Sequence, residues 1–131
     1  MQWSNRDIEQ LSIHFEGELH FNDSQTSRLT KRMYATDASV YEVKPQAVAF
    51  PASSKDIKRL IQFASSHKTG IIPRGAGTSL AGQVVGDGIV MEVSNRMAKI
   101  IQLNKKEQSV WVEPGIIRDD LNNHLAEANV F

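Results

Sequence analysis

A change of hydrophobic period between residues 47 and 72 restricts the fold more than any other feature of this chain. Ala47-Val48-Ala49-Phe50 is a continuous apolar run of strand length, closed by Pro51. Ser53 or Ser54 then offers a helix cap, and apolar residues recur at Ile57, Leu60, Ile61 and Ala64, spaced i, i+3, i+4 and i+7. Lys68-Thr69-Gly70 ends that helix and Ile71-Ile72 opens a second short strand. The order predicts a βαβ unit: parallel strands over 47–50 and 71–73, joined by a helix over 54–67.

The second strand runs straight into Pro73-Arg74-Gly75-Ala76-Gly77-Thr78-Ser79-Leu80-Ala81-Gly82-Gln83. Ligands in open α/β sheets gather at the carboxyl ends of strands, where this loop falls. Glycine tolerates positive φ and close approach of another molecule to the backbone. Consecutive free N–H groups form an anion-binding concavity, and Arg74 adds a planar donor fork suited to phosphate. The loop therefore reads as a diphosphate cradle. Two common phosphate motifs fail on it. The G-x-G-x-x-G fingerprint has Leu80 at its third glycine, and the glycine-rich stretch Gln83-Val84-Val85-Gly86-Asp87-Gly88 follows where a helix should start. The G-x-x-x-x-G-K-[ST] loop has the right spacing at Gly77 and Gly82, but Gln83-Val84 replaces the lysine and hydroxyl.

Elsewhere, Ser4 predicts the cap of a first helix with Ile8, Leu11 and Phe15 on one face, ended by Gly17. Asp23-Ser24 starts a short helix through Arg32, and no clear period marks the rest of residues 18–46. A third strand covers 89–93, and a hairpin covers 99–113 with a polar turn at 104–108, beside the βαβ strands. Pro114-Gly115 breaks the chain before a last helix from about Ile117, with Leu121, Leu125 and Ala128 on one face. The fold class is α/β (α+β): a small βαβ sheet plus hairpin, with flanking helices.

The stretch P-R-G-x-G-T-S-L-x-G-Q at residues 73–83 resembles the pyrophosphate loop of the PCMH-type FAD-binding flavoproteins, the vanillyl-alcohol oxidase superfamily. Tyr34-Ala35-Thr36-Asp37-Ala38-Ser39-Val40-Tyr41 resembles that family's opening signature, and Pro45-Gln46-Ala47-Val48-Ala49-Phe50-Pro51 its first strand. Ser54-Lys55-Asp56-Ile57, Gly88-Ile89-Val90-Met91-Glu92-Val93-Ser94 and Val112-Glu113-Pro114-Gly115-Ile116 follow in the family's order. The similarity is to the FAD-linked D-lactate dehydrogenase and glycolate oxidase branch, some of whose bacterial members are fused to an iron–sulfur region.

The resemblance implies residues 34–131 as the first subdomain of a PCMH-type FAD-binding domain, with 1–33 as an N-terminal helical extension. It implies a parent enzyme that oxidises a 2-hydroxy acid such as D-lactate or glycolate. The second FAD subdomain and the substrate domain have no counterpart in the chain. The chain is therefore expected to be an excised piece, inactive alone, with terminal Phe131 marking a cut inside a larger fold. An apolar docking face, shielded by self-association, is expected where the missing subdomain packs. A non-catalytic phosphate-binding module acting with a partner subunit is the alternative, and a degenerate fragment that binds nothing is a third reading.

By the same resemblance FAD contacts come from Arg74, Gly75, Ala76, Gly77, Thr78, Ser79, Gly82 and Gln83, and from Pro51, Pro114 and Gly115 on the adenine side. Each has a plainer role beside it. Arg74 either meets phosphate or braces the loop. Thr78 and Ser79 bond phosphate oxygens or close local turns. Gln83 touches the flavin or only the loop backbone, and the prolines are structural punctuation. Some relatives bond the flavin through a histidine after R-G-x-G; Thr78 stands there, so attachment is expected to be non-covalent.

Composition excludes other classes. Lysine plus arginine equals aspartate plus glutamate, 15 each, so no basic stripe suggests nucleic acid. No apolar run reaches the ~20 residues of a membrane span, and the first residues lack a signal-peptide core, so a cytoplasmic setting is expected, peripheral to a membrane at most. With no cysteine, the chain itself holds no disulfide and no cysteine-ligated cluster. His14, His20, His67 and His124 lack metal-ligand spacing and are expected on solvated faces. Trp111 and the methionines at 33, 91 and 97 are expected as core or edge filler, Asp37 as a turn cap. No catalytic residue can be named.

Overall fold

The computed structural model describes residues 3–128 and 130; the terminal Phe131 lies outside the described residues. The elements run α1 (Asn5–Ser12), β1 (Glu18–His20), α2 (Gln25–Met33), β2 (Ala47–Phe50), α3 (Ser54–Ser66), β3 (Ile71–Arg74), β4 (Ile89–Glu92), β5 (Ile100–Asn104), β6 (Ser109–Val112) and α4 (Arg118–Glu127). The βαβ unit forms where the periods place it, but its two strands are not neighbours. The main sheet has the order β1-β2-β4-β3, with β4 parallel to both β2 and β3. Every residue of the two inner strands, β2 and β4, is buried, whereas β3 at one edge is only half-buried. The three-residue β1 pairs antiparallel with β2 and forms one edge. Three residues carry too little alternation to announce a strand.

Two apolar layers cover the sheet. On one face Ala47, Ala49, Ile89 and Met91 pack with Leu60, Phe63 and Ala64 of α3, and with Trp3, Leu11 and Phe21. Residues 3–33 thus add a strand and core side chains to the same unit. On the other face Val48, Phe50 and Val90 pack with Tyr34 and Ile72. Ile61 does not join the core; it is 51% exposed. It lies about 100° round the helix from Leu60, and the buried stripe turns the other way, onto Phe63.

Asp56 joins the two parts of that layer. It is 0% exposed, yet it sits on α3 inside the apolar core. Its Oδ1 accepts from the Glu16 N–H, and its Oδ2 from the Gly17 and Ala52 N–H groups, each at 3.0 Å. Helix α3 itself is capped by Ser53, whose Oγ accepts from the Asp56 N–H at 3.3 Å. Gly17 does not end α1, which stops at Ser12. It is glycine for a different reason: a Cβ there would overlap the Phe50 carbonyl oxygen.

The hairpin β5–β6 forms its own two-stranded sheet. The Gly115 N–H donates to Met97 O at 2.7 Å, tying the hairpin's exit to the turn after β4. Trp111 is not core. Along β6, Val110 and Val112 point one way and Trp111 the other, and Trp111 is 69% exposed. Ile101, at the irregularity opposite Trp111, is 65% exposed. Met91 and Met97 are buried, while Met33 is exposed. His20 and His67 are half-buried rather than solvated, packed against the rings of Phe50 and Phe63.

Asp56→Ala should lower stability by about 3 kcal/mol or more, since each orphaned buried donor costs about 1–3 kcal/mol. Urea unfolding followed by circular dichroism reads this. A midpoint unchanged from wild type would show that the carboxylate does not hold the N-terminal segment.

Candidate functional site

Because β2, β3 and β4 are parallel, their carboxyl ends meet at one edge of the sheet. The glycine loop leaves from the end of β3 at that edge. Gly77 and Gly82 both have φ of +70°, where a side chain is strained. From residue 75 to residue 80, six successive N–H groups have no protein acceptor among the described residues. Gly75, Ala76, Thr78 and Leu80 are exposed, with Gly77 and Ser79 half-buried between them. A Cβ on Gly75 would meet nothing within 4 Å. Such a run of free donors is the chemistry of an anion cradle.

The loop's own side chains divide. Ser79 Oγ donates to Gln83 Oε1 at 2.5 Å and accepts from the Ala81 and Gln83 N–H groups, which closes a local turn. Thr78 is exposed and has no hydrogen-bond partner among the described residues. Arg74 turns inward: Nη1 donates to Thr36 O at 2.7 Å and to Val84 O at 3.5 Å. Pro51 is fully buried at the end of β2. Pro114 is exposed, and Gly115 is buried where a Cβ would overlap the Val93 carbonyl oxygen at the end of β4. The loop from Arg74 to Gln83 leaves the carboxyl end of β3, and Pro51 and Gly115 lie at the carboxyl ends of β2 and β4 on the same sheet edge.

Behind the loop lies a backing that residue types alone do not disclose. The Ala38 N–H donates to Gly77 O at 3.1 Å, and a Cβ on Gly82 would come within 2.6 Å of the Tyr41 ring. Asp37 caps this segment: its Oδ1 accepts from the Ser39 N–H at 2.8 Å and from the Ser39 hydroxyl. The Ser39 hydroxyl bond is the largest cause of a carboxyl pKa below the usual range, and the Arg74 charge adds to it. The Tyr34 phenol is pushed upward, first by burial and then by the charge of Glu92, with Arg74 opposing. Glu92 is 3% exposed, and its carboxylate accepts from the Ser94 and Asn95 N–H groups and the Ser94 hydroxyl. A lone carboxylate at the end of an otherwise apolar strand was the available signal for it.

Three concavities of about 480, 630 and 520 Å³ lie between α1 and α3, between the hairpin and α4, and beside β1 and α2. None of these three is lined by a residue of the glycine loop. Among the described residues no helix is long and apolar enough to cross a membrane.

Residues 45–131 match the model of a family described as FAD binding domain. The D-2-hydroxyglutarate dehydrogenase of Escherichia coli strain K12 is 34% identical over 95% of this chain, which spans 13% of that protein. The glycolate oxidase subunit GlcD of Bacillus subtilis strain 168 is 29% identical over 96% of the chain, which spans 27% of it. Among solved structures, an alkyldihydroxyacetonephosphate synthase superposes with a TM-score of 0.77 at 18% identity, over 96% of this chain and 26% of that one. The 4-ethylphenol oxidase of Gulosibacter chungangensis gives 0.73 at 18% identity, over 95% and 24%. The chain thus spans between an eighth and about a quarter of these four proteins.

The Asp37 carboxyl is expected to titrate below its ordinary 3.8. A folded-state pKa depressed below the unfolded one adds stability that is present above the unfolded value and lost as pH falls through the folded value. The segment behind the loop should therefore loosen only in that acid window. Nuclear magnetic resonance titration of the Asp37 carboxyl and the Ser39 amide checks it: both should share one low midpoint, and Asp37→Asn should abolish the Ser39 response. A carboxyl midpoint at or above 3.8 would contradict the cap.

Proposed function

The chain belongs to the FAD binding domain family, and on that premise we propose that it supplies the diphosphate-binding part of the cofactor site in a flavoenzyme oxidising a 2-hydroxy acid. The observation that carries this is the run of six N–H groups at residues 75–80 without a protein acceptor among the described residues, at the carboxyl edge of a parallel sheet. These donors fit a diphosphate: they are consecutive and left free by the loop's own turn. The Thr78 hydroxyl is free to add a further bond to phosphate oxygen. Bound FAD supplies the two-electron acceptor for a hydride leaving the alcohol carbon. What this chain's residues do is hold and orient the diphosphate. Attachment is non-covalent, because Thr78 stands where some relatives place a flavin-linked histidine.

The substrate class rests on the relatives' names, which include D-2-hydroxyglutarate dehydrogenase, glycolate oxidase and D-lactate dehydrogenase. D-2-hydroxyglutarate, glycolate and D-lactate share one reacting group, a hydroxyl beside a carboxylate, and the resident acid is one of that kind. Residues 34–131 form the first subdomain of the cofactor domain. A second FAD subdomain and a substrate domain complete the enzyme. Their support is the small share of each relative that the chain spans, and the openness of the loop on this chain. The exposed Ile101 and Trp111 face of the hairpin is a surface such a partner, or a second copy, would cover.

Gly77→Val in the full-length protein should lower FAD occupancy sharply, because a β-branched residue at φ of +70° must displace the loop backbone. Flavin absorbance of the purified protein reads occupancy, and acid denaturation should release all of it from the wild type. Wild-type occupancy in Gly77→Val, or flavin retained after denaturation, would refute the loop assignment or the non-covalent link respectively.

The 131-residue chain alone should bind FAD far more weakly than the full-length protein and oxidise no 2-hydroxy acid. A formed pocket buries roughly 70–90% of its ligand, and this chain offers one open wall. Equilibrium dialysis of the two proteins side by side decides it. Equal affinities would show that no second subdomain closes the site.

A further inference from the structure

Arg74 is half-buried and braced by contacts from several segments. Its Nη1 is spent on two carbonyl oxygens from opposite flanks of the site, Thr36 at 2.7 Å and Val84 at 3.5 Å. Its guanidinium carbon lies 5.0 Å from the centre of the Tyr34 ring, a cation–π distance. Tyr34 is in turn fixed edge-on against Phe50, with ring centres 5.6 Å apart. On the loop side the guanidinium lies against Gly77, where a Cβ would overlap Nη2. Gly77 O is at the same time held by the Ala38 N–H. Strand register pairs Arg74 with the buried Glu92, and the charges of both reach the Tyr34 phenol.

Nη1 joins the segment before the sheet to the loop's far end, while the Nη2–Nε edge of the guanidinium lies against the Gly77 backbone.

We propose that Arg74 is the positioning residue of the diphosphate loop: held between Tyr34 and Gly77 and bonded to the carbonyls of Thr36 and Val84, it sets the direction of the N–H groups at 75–80 without itself meeting phosphate. The inference rests on the FAD reading of the loop. It makes Arg74 irreplaceable by lysine, whose point charge could serve a phosphate but cannot bridge two carbonyls while stacking on a ring.

The test uses the full-length protein with wild type, Arg74→Lys, Arg74→Ala and Tyr34→Leu. FAD affinity is measured by flavin fluorescence at several salt concentrations, and bound FAD is observed by phosphorus-31 resonance at saturation. Arg74→Lys and Arg74→Ala should each bind FAD about tenfold more weakly, equivalent to about 1.4 kcal/mol, and agree with each other within about twofold. Tyr34→Leu should weaken binding about threefold, through loss of the stacking partner. The salt dependence of affinity should match wild type in all variants, since no charge at the phosphate is lost. The diphosphate resonances should shift in Arg74→Lys at saturation, which global destabilisation would not produce.

Near-wild-type affinity in Arg74→Lys, or a reduced salt dependence in Arg74→Ala, would overturn the proposal and make Arg74 a phosphate ligand. If Arg74→Ala fails to fold, Arg74→Lys and Tyr34→Leu decide the matter. Wild-type protein that binds no FAD would overturn the FAD reading itself, an outcome distinct from FAD binding that tolerates lysine.

Discussion

The carboxylate of Asp56 is the contact on which the rest of the architecture depends. Three backbone N–H groups, two from the turn before β1 and one from the turn before α3, converge on it, and the carboxylate itself is fully buried. Hydrogen bonds to an ionised acceptor are the stronger kind, and each donor here is freed by a turn that could not otherwise be buried. The effect is to seat the turn before β1 against the start of α3. β1 can then pair with β2, and Trp3, Leu11 and Phe21 can close the core over α3. Remove the carboxylate and the N-terminal segment loses its anchor, while the parallel strands keep theirs.

The candidate site is built on the opposite principle. Its strands and backing segment are tightly bonded, yet the loop that faces outward leaves its donors free. Glycines at 77 and 82 bring backbone against Arg74 and Tyr41, so the loop is shaped from beneath and bare on top. A site organised this way binds with little reorganisation, since the supporting contacts are already made before any ligand arrives. Local turns at Ser79 and Asp37 keep their own bonds short and internal.

Much of this was legible in the residues. The switch from apolar run to 3.6-residue period and back located β2, α3 and β3 to within a residue or two, because burial imposes those periods directly. The loop was legible because glycine density and the hydroxyl pair are local. Strand order was not, since β2 and β4 both read as apolar runs and are equally buried, and their places are a property of the assembled sheet. Ile61 and Trp111 were misplaced for a related reason: period names a set of candidate faces, and only packing chooses among them. Likewise the backing of the loop joins residues some forty positions apart, Thr36 to Arg74 and Ala38 to Gly77, and spacing within one window cannot show such pairs.

The two tryptophans stand in opposite surroundings: Trp3 is 4% exposed within the sheet core and Trp111 is 69% exposed on the hairpin. Indole emission depends on the polarity around the ring, so the chain carries two optical channels. The blue component reports the core held by Asp56, and the red component reports the outer face of the hairpin. Soluble quenchers reach only the second. Whatever settles over the hairpin will dim that access without touching the first channel, so docking and unfolding can be followed separately in one cuvette with no label attached.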